Sequence, residues 1–236
     1  MTVAAVNGLD VLNLEISRAK FGRAVLEVSL ADSLQDTSLS RDARVNVDLA
    51  GTANVFTGRV LTIGRTGGTT RLRALEASEL DKPVQARYYQ NTDANLIAAD
   101  ILRDVGLSAG EIKLNTALER YVRRATTGIT ALNDLCRTVG GRWRTKPTPG
   151  GIAGGTVIAQ LLEPNTRANP IVWGEDLLKF DPEIFEFTCL VRAGLMPGMI
   201  VRADPYGEGF DMTIESLKHS VMGGATRTCL YGSVIL

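Results

Sequence analysis

A strict alternation of apolar and polar residues over 43–49 constrains the fold of this chain more than any other feature. Val45, Val47 and Leu49 fall on one side of an extended chain, and polar residues fall on the other. A period of two is typical of a β-strand with one buried face. Three further runs share this apolar, β-branched character: residues 24–30, 55–63 and 69–77. With a hairpin turn at Thr66-Gly67-Gly68, they predict short strands of a small barrel or sandwich over residues 1–80.

The middle of the chain has a helical pattern instead. A first helix is predicted over residues 92–106, where Thr92 is the N-cap, Asp93 favours the positive helix end and Gly106 is the stop. Its predicted apolar stripe comprises Leu96, Ile97, Ile101 and Val105. A second helix is predicted over residues 127–139, and Gly140-Gly141 ends it. Its predicted buried face comprises Ile129, Leu132, Leu135, Cys136 and Val139.

The rest of the chain is again predicted to be β-structure. A hairpin joins residues 142–146 to residues 156–162 through a loop rich in proline and glycine. The later strands are predicted at 184–191, 199–203, 210–218 and 225–236, separated by turns at 197–198 and 206–209. The predicted fold is mainly β, with two small antiparallel, tube-like β-barrel modules flanking an αβ insert that holds two helices. The modules are assigned to residues 1–80 and 166–236, and the insert to residues 81–165.

Composition restricts the class of protein. The 236 residues include 26 Lys plus Arg and 26 Asp plus Glu, so the basic excess of a free nucleic-acid binder is missing. The three cysteines, Cys136, Cys189 and Cys229, have no zinc-ligand spacing and are predicted to be small buried hydrophobic residues. The N-terminus does not resemble a signal peptide, and no apolar run is long enough for a transmembrane helix.

Catalytic patterns are weak throughout the sequence. The single histidine, His219, is a candidate general base, but it is better explained as a strand-end residue that makes a hydrogen bond. The carboxylate pairs Glu175-Asp176 and Glu183 with Glu186 have the ordinary character of turn residues. The glycines at 150–155 lack the strand and helix of a phosphate loop. No catalytic, cofactor-binding or metal-binding residue is therefore predicted, and the protein is predicted not to be an enzyme.

Two groups mix basic and aromatic residues. The first places Arg120, Arg123 and Arg124 around Tyr121. The second places Arg137, Arg142 and Arg144 near Trp143. Such groups can bind nucleic acid, but arginine and tryptophan are also enriched at protein–protein contacts, and an exposed or interface face is the favoured interpretation.

Four segments, in this order along the chain, resemble the baseplate-hub proteins of tailed bacteriophages. That family includes the late control protein D group and the hub portion of the type VI secretion spike protein. The segments are Phe56-Thr57-Gly58-Arg59-Val60; residues 86–92 leading into 97–107; residues 129–141 followed by a strand with Trp143; and residues 197–201, 212–215, 219–220 and 226–228. They are similar to the family's first-barrel strand, its aromatic–Asn–Thr helix entry, its Leu-x-x-Leu helix and its closing barrel.

The resemblance implies a structural role in the virion. A homotrimer with two barrels per chain would form a ring that adapts a six-fold tail tube to a three-fold spike. The implied partners are the tail tube protein, distal tail or baseplate proteins, the central spike and the tape-measure protein. Genomic DNA would pass only in transit. Assembly would occur in the bacterial cytoplasm, and the chain itself would not insert into a membrane.

Three alternatives remain open. The first is a tail-tube or distal tail protein of related fold, which would stack as hexamers. The second is a tail-associated peptidoglycan hydrolase, which would depend on His219 or on single carboxylates such as Glu175 and Glu186. The third is a cytoplasmic nucleic-acid-binding module, which would bind DNA with a strong salt dependence.

Overall fold

The first six strands form a closed barrel. The structure is a computed structural model that describes residues 3–31, 39–146, 156–161, 168–172, 174–205, 207 and 209–234. The barrel strands are β1 (Ala4–Val6), β2 (Leu9–Ala19), β3 (Val25–Ala31), β4 (Arg44–Leu49), β5 (Thr52–Thr66) and β6 (Thr69–Leu75). Their order is β1-β4-β5-β6-β3-β2, and β2 pairs again with β1, so that the sheet closes on itself. Every pairing in the barrel is antiparallel.

The barrel interior is formed by the alternating pattern seen in the sequence. Val45, Val47 and Leu49 of β4 are fully buried, whereas Arg44 and Asp48 are exposed. The hairpin between β5 and β6 is confirmed. It turns at Gly67-Gly68, where both residues have positive φ (57° and 74°), which glycine adopts without steric cost. The first strand of this hairpin continues past its predicted end near residue 63, because its ladder with β6 reaches Thr66.

An αβ region follows the barrel. After a 3₁₀ turn (Ser78–Asp81) it contains β7 (Pro83–Val84), β8 (Arg87–Asp93), α1 (Ala94–Val105), β9 (Ala109–Lys113), β10 (Ala117–Arg123), β11 (Thr126–Thr127), α2 (Gly128–Thr138), β12 (Gly141–Lys146) and β13 (Thr156–Leu161). Strands β8 and β10 form an antiparallel ribbon, and β7 pairs with β11. The predicted hairpin is confirmed as β12 and β13, and β9 adds to β13 in parallel. Residues 147–155 of its predicted loop lie outside the described residues.

Both predicted helices are present, with corrections at the start of the first. Asp93, and not Thr92, is its N-cap, and the Asp93 carboxylate accepts a hydrogen bond from the Asn95 backbone N–H at 2.7 Å. Leu96 was predicted to be part of the apolar stripe but is 65% exposed, because the buried face of α1 follows Ile97, Ile101 and Val105 at a spacing of four residues and Leu96 lies beside it. The second helix was predicted to start at residue 127, and Thr127 is the N-cap of α2, with its Oγ1 accepting a hydrogen bond from the Thr130 N–H at 3.4 Å.

Six more strands form the last part of the chain. They are β14 (Ile171–Val172), β15 (Leu177–Asp181), β16 (Glu186–Leu190), β17 (Ile200–Asp204), β18 (Phe210–Met222) and β19 (Ala225–Val234). The order is β14-β17-β18-β19-β16-β15, and no ladder joins β14 to β15 among the described residues. The strand predicted at 184–191 begins only at Glu186, because Pro182 and a positive φ of 49° at Phe185 place the preceding residues in a turn. The fold is therefore mainly β with two helices, as predicted.

The two large sheets are continuous through β18. Its second half, Ser216–Met222, pairs antiparallel with Asn13–Ala19 of β2, and its first half pairs with β17. A register shift between Ile214 and Ser216 marks the change. Three hydrophobic clusters fill the barrel, the αβ region and the last sheet, and Val221 of β18 belongs to the barrel cluster. The strand predicted at 210–218 is longer than expected because of this additional pairing.

Candidate functional site

His219 lies inside β18, three residues before the strand ends, and not at the strand end itself. Its side chain is 2% exposed, and its Nδ1 lies 2.9 Å from Thr228 Oγ1. Burial, together with the positive charge of Arg18, lowers the pKa of His219 to about 4. The imidazole is therefore neutral at pH 7 and is covered by protein. The predicted hydrogen bond is present, but the position is an interior one that suits packing and not proton exchange with a substrate.

The candidate carboxylates are held within their own sheet. Asp176 pairs with Arg192 and accepts a hydrogen bond from the Val172 N–H at 2.9 Å. Glu186 bonds Tyr231, and this hydrogen bond raises the pKa of the tyrosine to about 12. Glu175 and Glu183, by contrast, are exposed residues within turns, and the glycines at 150–155 lie outside the described residues.

Some residues of each of the two basic and aromatic groups lie together in one groove. This groove, between β10 and α2, has a volume of about 340 Å³. Its lining includes Tyr121, Arg123 and Arg124 from the first group and Arg137 from the second, with Asp134 between them. We refer to it as the arginine groove. Arg120 is exposed on the same strand but does not line it.

The other members of the second group turn away from the arginine groove. The Arg142 guanidinium lies over the Phe21 ring, 5.4 Å from the ring centroid. Arg144 donates to the Pro197 carbonyl, and burial lowers the pKa of its guanidinium. Trp143 is buried in the αβ core. These residues join the αβ region to the two sheets, a structural role within the chain.

A buried ion pair stands close to the boundary between the sheets. Arg18 donates from Nη1 and Nη2 to the two carboxylate oxygens of Glu76, at 2.9 and 2.6 Å, and from Nη2 to the Val55 carbonyl at 2.7 Å. Both side chains are almost completely buried. The sequence analysis missed this pair, although its signal was present: Arg18 follows Leu14 and Ile16 at the inward positions of β2. An arginine in an inward register position indicates a buried partner.

Exposed apolar side chains occur in two places that suit contact with other proteins. Ile184 and Phe185 project from the turn between β15 and β16. Tyr88 and Val122 are directly opposite each other on the β8–β10 ribbon, and Val122 is 63% exposed. Exposed apolar groups next to polar ones are typical of protein–protein contact surfaces.

Two of the three cysteines are buried thiols. Burial raises the pKa of Cys136 to about 11 and that of Cys189 to about 12. These two cysteines are buried as predicted, whereas Cys229 is only half-buried. Within the described ranges, no group of three or more histidine, cysteine or acidic residues is arranged to hold a metal ion. In the same ranges, no helix has the length and apolar character needed to cross a membrane.

Solved structures share this architecture over almost the whole chain. No protein-family model matches the chain, and no curated protein sequence matches it significantly. The 43 kDa tail protein of prophage MuSo2 from Shewanella oneidensis matches with a TM-score of 0.72 at 12% identity, over 98% of this chain and 95% of that one. A tail protein from Neisseria meningitidis MC58 gives 0.73 at 13% identity with the same coverages.

This chain has the fold of phage tail proteins. A third structure, the Escherichia coli c3393 protein, matches with a TM-score of 0.72 at 14% identity, over 99% of this chain and 77% of that one. That protein is described as a component of the type VI secretion system with structural similarity to the T4 bacteriophage tail proteins gp27 and gp5. At such low identities the likeness establishes the common fold.

Proposed function

We propose that this protein is a structural baseplate hub of a phage tail. In this proposal it forms a trimeric ring that adapts the six-fold tail tube to the three-fold spike and encloses the ejection channel. The observation that carries the proposal is the match to two phage tail proteins over 98% of this chain and 95% of theirs. A match of this extent covers both sheets and the αβ region between them, and not an isolated barrel.

The number of sheets per chain supports a ring of this symmetry. Each chain contributes a six-stranded barrel and a second sheet that also has six strands. Three copies would therefore present six β-units around an axis, as a tube of six-fold symmetry requires. We assign the two units to modules at residues 1–80 and 166–236, with residues 81–165 as the insert between them.

The boundary between the two sheets supports the use of the chain as a stiff building block. The ladder between β2 and β18 joins the sheets by main-chain hydrogen bonds. Ion pairs flank it, with Lys20 Nζ 2.7 Å from Glu215 Oε1 and Lys218 Nζ 3.1 Å from Glu15 Oε1. A subunit whose two units keep a fixed orientation can fix the geometry of a ring.

The proposal places the protein in the virion tail and makes it a scaffold and not an enzyme. Its partners would be the tail tube protein, distal tail or baseplate proteins, the spike and the tape-measure protein, with DNA only in transit. The environment of His219 supports a non-catalytic role, because the only histidine of the chain is buried and neutral. The zero net charge also suits a subunit that packs against other subunits.

The test is the mass and shape of the purified chain, alone and mixed with the tail tube and spike proteins of the same phage. Light scattering gives the mass, and negative-stain images give the symmetry. Trimeric rings with a central hole, formed alone or with these partners, support the hub. Hexameric rings favour a tube or distal tail protein. A monomer that binds neither partner overturns the proposal, and hydrolysis of peptidoglycan that is lost in His219→Asn would replace it with an enzyme.

A further inference from the structure

The arginine groove has more positively charged side chains than negatively charged ones. Its lining contains the guanidinium groups of Arg123, Arg124 and Arg137 and only one carboxylate, that of Asp134. Arg137 and Asp134 form an i, i+3 pair at 3.5 Å on α2, and Arg123 pairs with Asp104 from outside the lining. With both carboxylates counted, a positive charge remains in excess, although the whole chain has a net charge of zero.

One donor in the groove wall is unused. Arg123 is buried, with its Nε donating to the Gln85 carbonyl at 2.9 Å and its Nη2 paired with Asp104. Its Nη1 is also buried and has no hydrogen-bond partner among the described residues. Buried charged donors are normally satisfied, so the Arg123 guanidinium leaves an incompletely balanced positive charge next to the groove. At the mouth of the groove, Arg124 and Arg137 are exposed and can meet an anion first.

The neighbourhood of the groove suits a protein side chain better than a nucleic acid. Val122 also lines the groove, and its cross-strand neighbour Tyr88 is exposed, so apolar contact area lies next to the arginines. The ring of Tyr121 is half-buried and already contacts the ring of Tyr89 at a centroid distance of 6.2 Å, so it is a restricted platform for stacking a base. The Asp134 carboxylate would repel a run of several phosphates more strongly than a segment that places a single carboxylate between Arg124 and Arg137.

We propose that the arginine groove binds an acidic segment of a neighbouring protein subunit. One Asp or Glu carboxylate of that segment would be held by Arg124 and Arg137, and an adjacent apolar side chain would cover Val122. Guanidinium groups suit this task because they bind carboxylates with paired, charge-assisted hydrogen bonds. The inference rests on the proposed function only in taking the partner to be a subunit of the same assembly.

The experiment is a chemical-shift titration of the ¹⁵N-labelled full chain at constant ionic strength. The probe is acetyl-Gly-Leu-Glu-Glu-Leu-Gly-amide, and its matched control has Gln-Gln in place of Glu-Glu. We expect millimolar or tighter binding of the acidic peptide, with shifts concentrated at residues 121–126 and 134–138. Arg124→Gln and Arg137→Gln should each weaken binding about threefold to tenfold, since each removes one charged donor.

Arg103→Gln is the matched control variant. Arg103 is 73% exposed in the last turn of α1 and pairs with Asp100 at i, i+3, just as Arg137 is 79% exposed in the last turn of α2 and pairs with Asp134. Its loss should change the affinity less than about twofold. Equal binding of the two peptides, no binding in the millimolar range, or unchanged affinity in the groove variants would overturn the inference.

Two further probes identify the class of ligand, and one measurement separates the two proposals. Sodium sulfate or an oligothymidylate that shifts the groove residues while the acidic peptide does not would reject a protein partner. Light scattering on the same samples reports the oligomer. Ring formation without peptide binding rejects the proposed role of the groove and leaves the hub proposal intact. If the chain binds the peptide but forms neither a ring nor a complex with the tube or spike protein, the hub proposal is rejected and the groove proposal stands.

Discussion

Replacing Gly58 by alanine should destabilise the barrel, whereas the same change at Gly64 of the same strand should not. Gly58 is buried in β5, opposite Val45 of β4. A methyl group on Gly58 would lie 2.7 Å from Phe56 Cε1, 2.8 Å from the Leu75 carbonyl carbon and closer still to the Leu75 oxygen. The Leu75 atoms are backbone atoms of the neighbouring strand, so they cannot move aside without disturbing the ladder. At Gly64 a methyl group would meet nothing within 4 Å.

The magnitude follows from these contacts. Forcing an extra carbon into a packed interior costs about 1–3 kcal/mol. Alanine in place of glycine in an open strand position stabilises by about 0.5–1 kcal/mol, because the unfolded chain loses freedom. For a chain of this length, each kcal/mol corresponds to a change of about 2–4 °C in melting temperature. Gly58→Ala should therefore melt about 2–12 °C below the native protein, and Gly64→Ala at the same temperature or slightly above it.

Thermal and urea unfolding followed by circular dichroism measure both variants. The reasoning is refuted if Gly58→Ala is as stable as Gly64→Ala, or if both lose stability equally. The first result would mean that the β5–β6 contact relaxes at no cost. The second would mean that backbone flexibility, and not the close approach of Leu75, explains why glycine occurs there.

Three further predictions concern buried polar groups. Glu76→Gln should lower the free energy of unfolding by about 3–5 kcal/mol in urea titrations, because it leaves Arg18 charged, buried and unpaired. The control Glu27→Gln removes an exposed ion pair and should change the free energy of unfolding by less than about 1 kcal/mol. Equal effects of the two substitutions would contradict this account. The pKa of His219 is depressed on folding from 6.5 to about 4, so the unfolded chain binds more protons in this range. The free energy of unfolding should therefore fall by about 3 kcal/mol as the pH drops from 6.5 to 4. The histidine-free variant His219→Gln should lack this part of the dependence of stability on pH. Identical dependences in the two proteins would show that the histidine titrates normally. Burial raises the pKa of the Cys189 thiol to about 12. At pH 8 this cysteine should therefore resist a thiol reagent in the folded protein and react rapidly with the same reagent in urea. Rapid labelling of Cys189 in the folded protein would contradict its buried position.

The sequence predicts the barrel well where a simple rule governs the local structure. Val45, Val47 and Leu49 alternate because one face of β4 is buried, and Gly67-Gly68 turns because both residues need positive φ. Prediction from the sequence fails where tertiary contacts determine the length of a strand. The extension of β18 beyond residue 218 depends on a partner strand some 200 residues earlier, which no local pattern reveals.

The arginine groove could be predicted only in part. The spacing of Arg123, Arg124 and Tyr121 indicates a basic and aromatic surface, but not that Arg137 of a helix completes it. Arg123, the last residue of β10, is buried, whereas Arg124, the next residue, is exposed. Which face is buried, and which acid pairs with the buried arginine, depends on how α1 and α2 pack against the ribbon.

The sharing of β18 between two sheets has a mechanical consequence. A load that pulls the two sheets apart along the strand direction must shear the whole ladder from Ser216 to Met222, whose hydrogen bonds share the force and do not open one after another. The ladder therefore resists a hinge motion between the two sheets at this boundary. If the protein has the proposed role in a tail, a change in tail shape would move its two sheets together, and the sliding would occur where the subunit meets its neighbours.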